Sequence, residues 1–263
     1  MKSLDAPAKI NLALVVGPVR PDGKHEVATV LQRVDLADRI SLEPSSTLEI
    51  DGFPEDTLVR DALLALAKAA AVEPRWSVRI EKRIPVAAGL GGGSSDAATA
   101  LRLANDSLSS PLPAERLHEV AAHQGADVPF FLTGGTLLGT GDGTELAPVE
   151  LPVHYSILLL LPKGAVKSST ADVYTAFTGE RDFDERRAQL MAAVEARDLA
   201  ALPPNDLASS PLAQELRAAG AFRADVSGAG PTVFGLFADE EQAAAAREVF
   251  AGRCATWLTA PAW

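Results

Sequence analysis

The sequence predicts an α+β fold in two lobes, and three observations predict it. Short alternating or apolar runs of strand type recur along the whole chain. Ala- and Leu-rich helical stretches are interleaved with them, and glycine- and proline-rich turns separate the two kinds. With 263 residues, 47 % of them hydrophobic and 22 % charged, the chain can bury a core as one large domain or two packed ones.

The elements follow in order. Residues 9–17 alternate loosely and then run apolar, a first strand. Pro18-Val19-Arg20-Pro21-Asp22-Gly23 is a turn, because proline fixes φ and Asp-Gly tolerates reversal. Residues 25–42 are again extended, with Val27, Val30, Val34 and Ile40 among polar residues. Residues 56–72 form a helix whose acidic start suits its dipole. Trp76-Ser77-Val78-Arg79-Ile80-Glu81 alternates cleanly as a strand. Helices are expected at 97–105, 114–123, 171–177, 184–197, 212–219 and 239–250. The five glycines within 134–143 mark a hairpin or tight loop pair. Residues 154–161 make a buried strand, Pro203-Pro204 interrupts the chain, 226–237 hold a glycine turn leading into a strand, and 255–259 close the fold. The division is expected near 151–154, giving lobes 1–152 and 153–263. No internal repeat is visible.

Charge and cysteine content exclude several functions. With 24 Lys+Arg against 35 Asp+Glu the net charge is −11, so non-specific nucleic-acid binding is not expected. An anionic ligand needs a local positive region, and Lys9, Arg20, Lys24, His25, Lys82 and Arg83 all lie in the first third of the chain. The single Cys254 excludes an intramolecular disulfide framework and a multi-cysteine zinc site. The first residues lack a signal-peptide core, and no apolar run is long enough to span a bilayer. A cytoplasmic protein with no membrane partner is therefore expected.

The most informative segment is Pro85-Val86-Ala87-Ala88-Gly89-Leu90-Gly91-Gly92-Gly93-Ser94-Ser95-Asp96, between a strand and a helix. Four glycines in five residues permit positive φ and close approach of backbone to a ligand. The following helix offers unpaired N–H groups and the positive end of its dipole, so the turn can cradle phosphate. Ser94 and Ser95 add hydroxyl donors. Seen alone, the segment also reads as a flexible loop or a helix cap. A Walker A loop is ruled out, since no lysine follows the glycines. A dinucleotide fingerprint fits poorly, since its last glycine is replaced by serine and the turn lies far into the chain.

This turn resembles the phosphate loop of the GHMP kinase superfamily. Two further segments agree in order and spacing. Pro7-Ala8-Lys9-Ile10-Asn11-Leu12 with Arg20-Pro21-Asp22-Gly23-Lys24-His25-Glu26 is similar to the family's first motif, and Val226-Ser227-Gly228-Ala229-Gly230-Pro231-Thr232 to its third. The opening, the His25 turn and Gly125-Ala126-Asp127-Val128-Pro129-Phe130-Phe131 most resemble one branch. That branch phosphorylates the 2-hydroxyl of a cytidine-diphosphate-linked methylerythritol in the non-mevalonate route to isoprenoids.

The resemblance implies an N-terminal lobe like domain 2 of ribosomal protein S5, a ferredoxin-like C-terminal lobe and an active site in the cleft between them. It implies ATP as donor, with Mg²⁺ held mainly through the nucleotide phosphates and no dedicated metal ligands. Asp127 would be the general base, or the acceptor that orients the hydroxyl, and Lys9 would offset negative charge on the transferred group. Pro85 to Ser95 would surround the triphosphate: Pro85, Val86, Ala87, Ala88, Gly89, Leu90, Gly91, Gly92, Gly93, Ser94 and Ser95. Lys82 is expected at the nucleoside end and Leu58 on the adenine side. His25 would bond the cytosine, Asn11 would lie near the methylerythritol, and Gly228 and Gly230 would close over the site.

Two departures stand out. Lys24 occupies the place where the family has a Tyr that stacks on the cytosine, a contact worth about 1–3 kcal/mol. Tyr174 could cover the opposite face, and Lys24 could meet the diphosphate instead. Thr57 replaces an Asn beside Leu58. His118 and His123 are five apart, off the spacing that converges on a metal. Two other readings stand beside the leading one: a kinase of the same superfamily for another small alcohol, and a silent nucleotide-binding module.

Overall fold

The computed structural model describes residues 1–53, 57–165, 170–177, 179 and 182–263. The expected start of the first helix at Asp56 lies outside them. The chain forms two compact units, and both are discontinuous in sequence. Unit 1 comprises 1–8, 36–86 and 91–134; unit 2 comprises 9–35, 87–90 and 135–263.

In unit 1, the ends of two long strands, β1 (Lys2–Val19) and β2 (His25–Pro44), accompany β3 (Glu49–Asp51) and β4 (Trp76–Glu81). Strand β4 pairs antiparallel with β2 (Arg39 opposite Glu81) and parallel with β3 (Glu49 opposite Ser77). Its clean alternation is real: Trp76, Val78 and Ile80 are buried, Arg79 and Glu81 exposed. Helix α1 (Leu58–Ala69) buries Val59, Ala62, Leu63, Leu66 and Ala67, the stripe of an amphipathic helix. Helix α2 (Gly92–Asn105) is buried on every side from Ser95 to Leu101, and its alanines let neighbouring helices approach closely. It begins five residues earlier than its helix-forming composition indicated, so the last glycines and both serines belong to its first turns. Helices α3 (Ala114–Ala122) and α4 (Val128–Thr133) complete the unit. The latter was not foreseen: six residues are too few for periodicity to register.

In unit 2, the other half of β2 pairs with β5 (Thr136–Thr140), which forms the expected glycine hairpin with β6 (Glu145–Pro148). A four-stranded antiparallel sheet has the order β10-β7-β9-β8, from β7 (Ser156–Pro162), β8 (Arg223–Val226), β9 (Val233–Phe237) and β10 (Cys254–Thr259). Strand β7 buries Ile157 to Leu160 without alternation because both of its faces are covered. One core cluster joins Leu158 and Leu160 of β7 to Leu216 of α7 (Pro211–Ala218) and Phe250 of α8 (Glu240–Phe250). Short α5 (Thr170–Thr175) and longer α6 (Phe183–Glu195) precede them. Ser210 caps α7 and Asp239 caps α8 through their side-chain oxygens.

A buried guanidinium ties the segments of unit 2 together. Arg223 Nε donates to the Leu12 carbonyl at 2.9 Å, Nη1 to Leu202 at 2.6 Å and Nη2 to Pro203 at 3.0 Å. Replacing Arg223 by Ala strands three buried carbonyls and the neighbouring Asp225 carboxylate. We expect a loss of about 3–5 kcal/mol in urea unfolding.

Candidate active site

The residues of the first and third motifs meet in unit 2. Lys9 lies on β1, 4 % exposed, and its Nζ donates to Asn11 Oδ1 at 2.6 Å. Residues two apart on a strand share a face, which is why this pair can form. Asn11 Nδ2 donates to Thr29 Oγ1 at 2.9 Å, and that hydroxyl donates to the Ala13 carbonyl at 2.7 Å. The Asn11 backbone N–H reaches Ser227 Oγ at 3.4 Å, and Ser227 Oγ donates to the Gly89 carbonyl at 2.9 Å. The phosphate turn is fixed by its backbone as well: Lys9 N–H donates to Leu90 O at 2.9 Å and Thr232 N–H to Ala88 O at 3.2 Å.

Gly89 shows why this turn is built from glycine. Its φ is +81°, and a Cβ there would stand 2.5 Å from the Ser227 carbonyl oxygen and 2.7 Å from that of Gly230. Gly228 is also left-handed at +57°, and a Cβ there would meet Asn11 Oδ1 at 3.3 Å and Lys9 Nζ at 3.6 Å. The loop that carries Gly228 and Gly230 is held by Asn205, whose Nδ2 donates to Val226 O at 2.9 Å and Gly228 O at 2.7 Å. The Gly230–Pro231 peptide is cis. Sequence reasoning missed Asn205, although an Asn directly after Pro203-Pro204 was the available signal.

The expected acceptor-side residues also lie together in unit 2. His25 Nδ1 is 2.8 Å from the Gly17 carbonyl. A carbonyl only accepts, so Nδ1 carries the hydrogen and Nε2 faces away from that bond. The ring is flanked by Tyr174, centroids 5.8 Å apart, and by Phe177 edge-on at 5.7 Å. Phe177 was not anticipated; its place three residues after Tyr174, just past the end of α5, was the signal. Lys24 does not stand alone: its Nζ is 2.5 Å from Asp142 Oδ2 in the β5–β6 turn. Against a burial effect that raises it, hydrogen bonds from Lys24 and Thr144 hold the Asp142 carboxyl down at about 2.

The remaining candidates belong to unit 1, apart from Ala87, which belongs to unit 2. Gly91, left-handed at φ +70°, is the N-cap of α2 and uses no side chain for capping. The N–H groups of the first turn are therefore left for an external acceptor. Pro85 is half-buried, whereas Val86 and Ala87 are exposed, and Val86 leaves 61 % of its surface in solvent. Gly92, Gly93 and Ser94 reach the surface at the start of the helix, while Ser95 is fully buried. Lys82 is held by two carboxylates, Asp38 at 2.5 Å and Asp96 at 2.7 Å. Leu58 is the first residue of α1 and half-buried. Asp127 occupies the N-cap position of α4 and makes no side-chain capping hydrogen bond there. Among the described residues no group of three or more His, Cys, Asp or Glu could hold a metal ion. His123 closes α3 and is exposed, His118 on the same helix is half-buried.

A glycine turn pinned against a buried Lys–Asn–Thr chain, with the chain running on into a helix, suits an anionic ligand. Residues 57–135 match the GHMP kinases N-terminal domain and 189–255 the GHMP kinases C-terminal domain. The chain is 39 % identical to the 4-diphosphocytidyl-2-C-methyl-D-erythritol kinase of Geobacter sulfurreducens, over 98 % of this chain and 97 % of that one. It is 35 % identical to the enzyme of the same name from Chloroherpeton thalassium, over 98 % and 97 %. A crystal structure of 4-(cytidine 5'-diphospho)-2C-methyl-D-erythritol kinase superposes with a TM-score of 0.84 at 32 % identity, covering 100 % of both chains. Mevalonate kinase from Methanococcus jannaschii shares the fold, with a TM-score of 0.77 at 13 % identity over 100 % of this chain and 98 % of that one. The chain belongs to the GHMP kinase family and is an ATP-dependent small-molecule phosphotransferase.

Replacing Gly89 by Ala forces the turn off the Ser227–Gly230 carbonyls. A displacement of about 1 Å lowers turnover by about 100-fold. Steady-state kinetics together with a thermal melt would show whether the loss belongs to the site rather than to the fold.

Proposed function

We propose that this chain transfers the γ-phosphoryl group of ATP to the 2-hydroxyl of 4-diphosphocytidyl-2-C-methyl-D-erythritol, a step of the non-mevalonate route to isoprenoid precursors, in the cytoplasm. The observation that carries the acceptor assignment is the pinned His25 ring. With Nδ1–H committed to the Gly17 carbonyl, a neutral ring offers Nε2 as an acceptor. Cytosine presents an exocyclic amino donor where uracil presents a carbonyl, so this tautomer favours the former. Tyr174 and Phe177 supply apolar faces for a planar base. The likeness to enzymes of this name, maintained over nearly the whole chain, supports the same reading.

The donor is assigned to the glycine turn and the start of α2. ATP supplies the phosphoryl group, and Mg²⁺ arriving on its phosphates lowers their charge. The residues fit such a ligand: the cradle is shaped by left-handed glycines at 89 and 91, and the helix N-terminus attracts anions. Asp127 is assigned to accept the hydroxyl proton or orient the hydroxyl. Lys9 is assigned to offset the charge that develops on the transferred group, with Asn11 fixing the ammonium. Lys24 and Asp142 lie on the acceptor side as a charge pair. No helix of the described residues is long and apolar enough to cross a membrane.

An ADP-release assay with a panel of acceptors tests the reading. The cytidine diphosphate derivative is expected to turn over, its uridine counterpart to react poorly, and mevalonate or homoserine not at all. Turnover of another small alcohol in preference to the cytidine compound would sink the acceptor assignment; no turnover with any would favour a silent module. Asp127→Asn is expected to lower kcat by about 100- to 10,000-fold with nucleotide affinity little changed. An unaltered kcat would remove Asp127 from the mechanism.

A further inference from the structure

Beneath the start of α2, three ionisable side chains share a space that water scarcely enters. Lys82 Nζ bonds Asp38 Oδ2 at 2.5 Å and Asp96 Oδ2 at 2.7 Å, and both carboxylates are 0 % exposed. The cluster sits close to the phosphate turn, since a Cβ on Gly92 would lie 3.4 Å from Lys82 Nζ. One ammonium against two carboxylates leaves one negative charge over, and an uncompensated buried charge is resisted by protonation.

The hydrogen bonds decide which carboxylate takes the proton. Asp38 Oδ1 accepts from the backbone N–H groups of Arg83 at 2.5 Å and Ile84 at 2.8 Å, so its second oxygen is satisfied as an anion. Asp96 has no such help: its Oδ1 is buried with no hydrogen-bond partner. Ser95 Oγ is likewise buried and unpartnered. Adjacent helical residues point in different directions, however, so these two atoms do not make one cation pocket. Burial pushes the Asp96 carboxyl up to about 8, with Lys82 opposing and Asp38 adding to the rise. The other charged groups nearby are remote from it in character. Arg60, Asp61 and Lys68 on α1, Glu115, Arg116 and Glu119 on α3, Arg79 and Glu81 on β4, and Arg102 on α2 itself are all exposed. His118 on α3 is half-buried, and α4 contains no titratable residue.

We propose that Asp96 is a positioning residue for the nucleotide: it stays a neutral acid at neutral pH, and its ionisation in alkaline solution sets a negative charge under the α2 N-terminus that opposes the triphosphate. This rests on the reading that the glycine turn and α2 hold ATP. A helix N-terminus attracts anions through its partial positive charge, and a carboxylate beneath it cancels part of that attraction.

Asp96→Asn replaces the acid by a neutral group of the same shape and leaves Lys82 paired with Asp38. Infrared difference spectra of the nucleotide-free protein, wild type minus variant, are expected to show the carbonyl stretch of a protonated carboxyl at neutral pH. That band is expected to vanish with a midpoint near 8. The KM for ATP in the wild type is expected to rise about two- to tenfold through the same range, while the variant keeps the low-pH value throughout. Thermal melts give a third reading. A folded-state pKa above the unfolded value of about 3.9 makes the wild type lose stability as pH climbs from there through the folded value near 8. The variant's advantage in melting temperature therefore grows over that window and then levels off.

An absent carboxyl band at neutral pH overturns the proposal. A band that titrates while the KM for ATP stays flat overturns its link to the nucleotide. The infrared titration needs no nucleotide, so it separates a failure here from a failure of the ATP assignment, which the Gly89→Ala kinetics address. The ¹³Cγ shift of Asp96 in the wild type answers the protonation question without any variant.

Discussion

The constraint on which the candidate site depends is the approach of two backbones at Gly89. Two carbonyl oxygens occupy the place that a side chain would take there, and φ is left-handed as well. Contact of that kind can be kept only if both segments are pinned, and the pinning is polar. Ser227 Oγ bridges the Asn11 amide and the Gly89 carbonyl, while Asn205 holds the loop from its other side. In a buried setting such a network is worth having only when its members are satisfied, because each missing partner leaves a desolvated group. Lys9 depends on the same network: the side chain that orients its ammonium, Asn11, is the residue whose backbone meets Ser227.

How much of this could be read from the sequence depends on whether the signal was local. Strand β4 needed only its alternation, and α1 and α8 only their apolar stripes and acidic starts, so these were legible. The glycine turn was legible because four glycines in five residues have few other uses. The start of α2 was misjudged because glycine disfavours helix, yet here the turn needs helical N–H groups immediately after it, and burial of the following alanines outweighs the propensity. Strand β3 and helix α4 were missed because three and six residues carry no period. Asn205, Phe177 and Asp38 were missed for a different reason: each acts on a partner distant in sequence, and nothing in the local pattern names that partner.

The basic residues of the first third of the chain carry a lesson about charge. With a net charge of −11, they looked like the local positive region that an anionic ligand would need. Most of that charge is already answered within the protein. Lys82 is enclosed by Asp38 and Asp96, Lys24 is paired with Asp142, and Arg20 bonds Glu26. Compensated cations attract an anion weakly, since the neighbouring carboxylates repel it over nearly the same distance. On the proposed assignment, what is left to hold a triphosphate is chiefly dipolar: uncapped amides at the start of α2 and the backbone of a glycine-rich turn. Dipoles act only at short range, which is why the ligand has to be brought against the backbone itself and why the cradle has to be glycine. The same logic makes the charge beneath the helix consequential. Where attraction is supplied by partial charges, one full charge gained or lost at Asp96 is a large fraction of the total, whereas among many free lysines it would scarcely register.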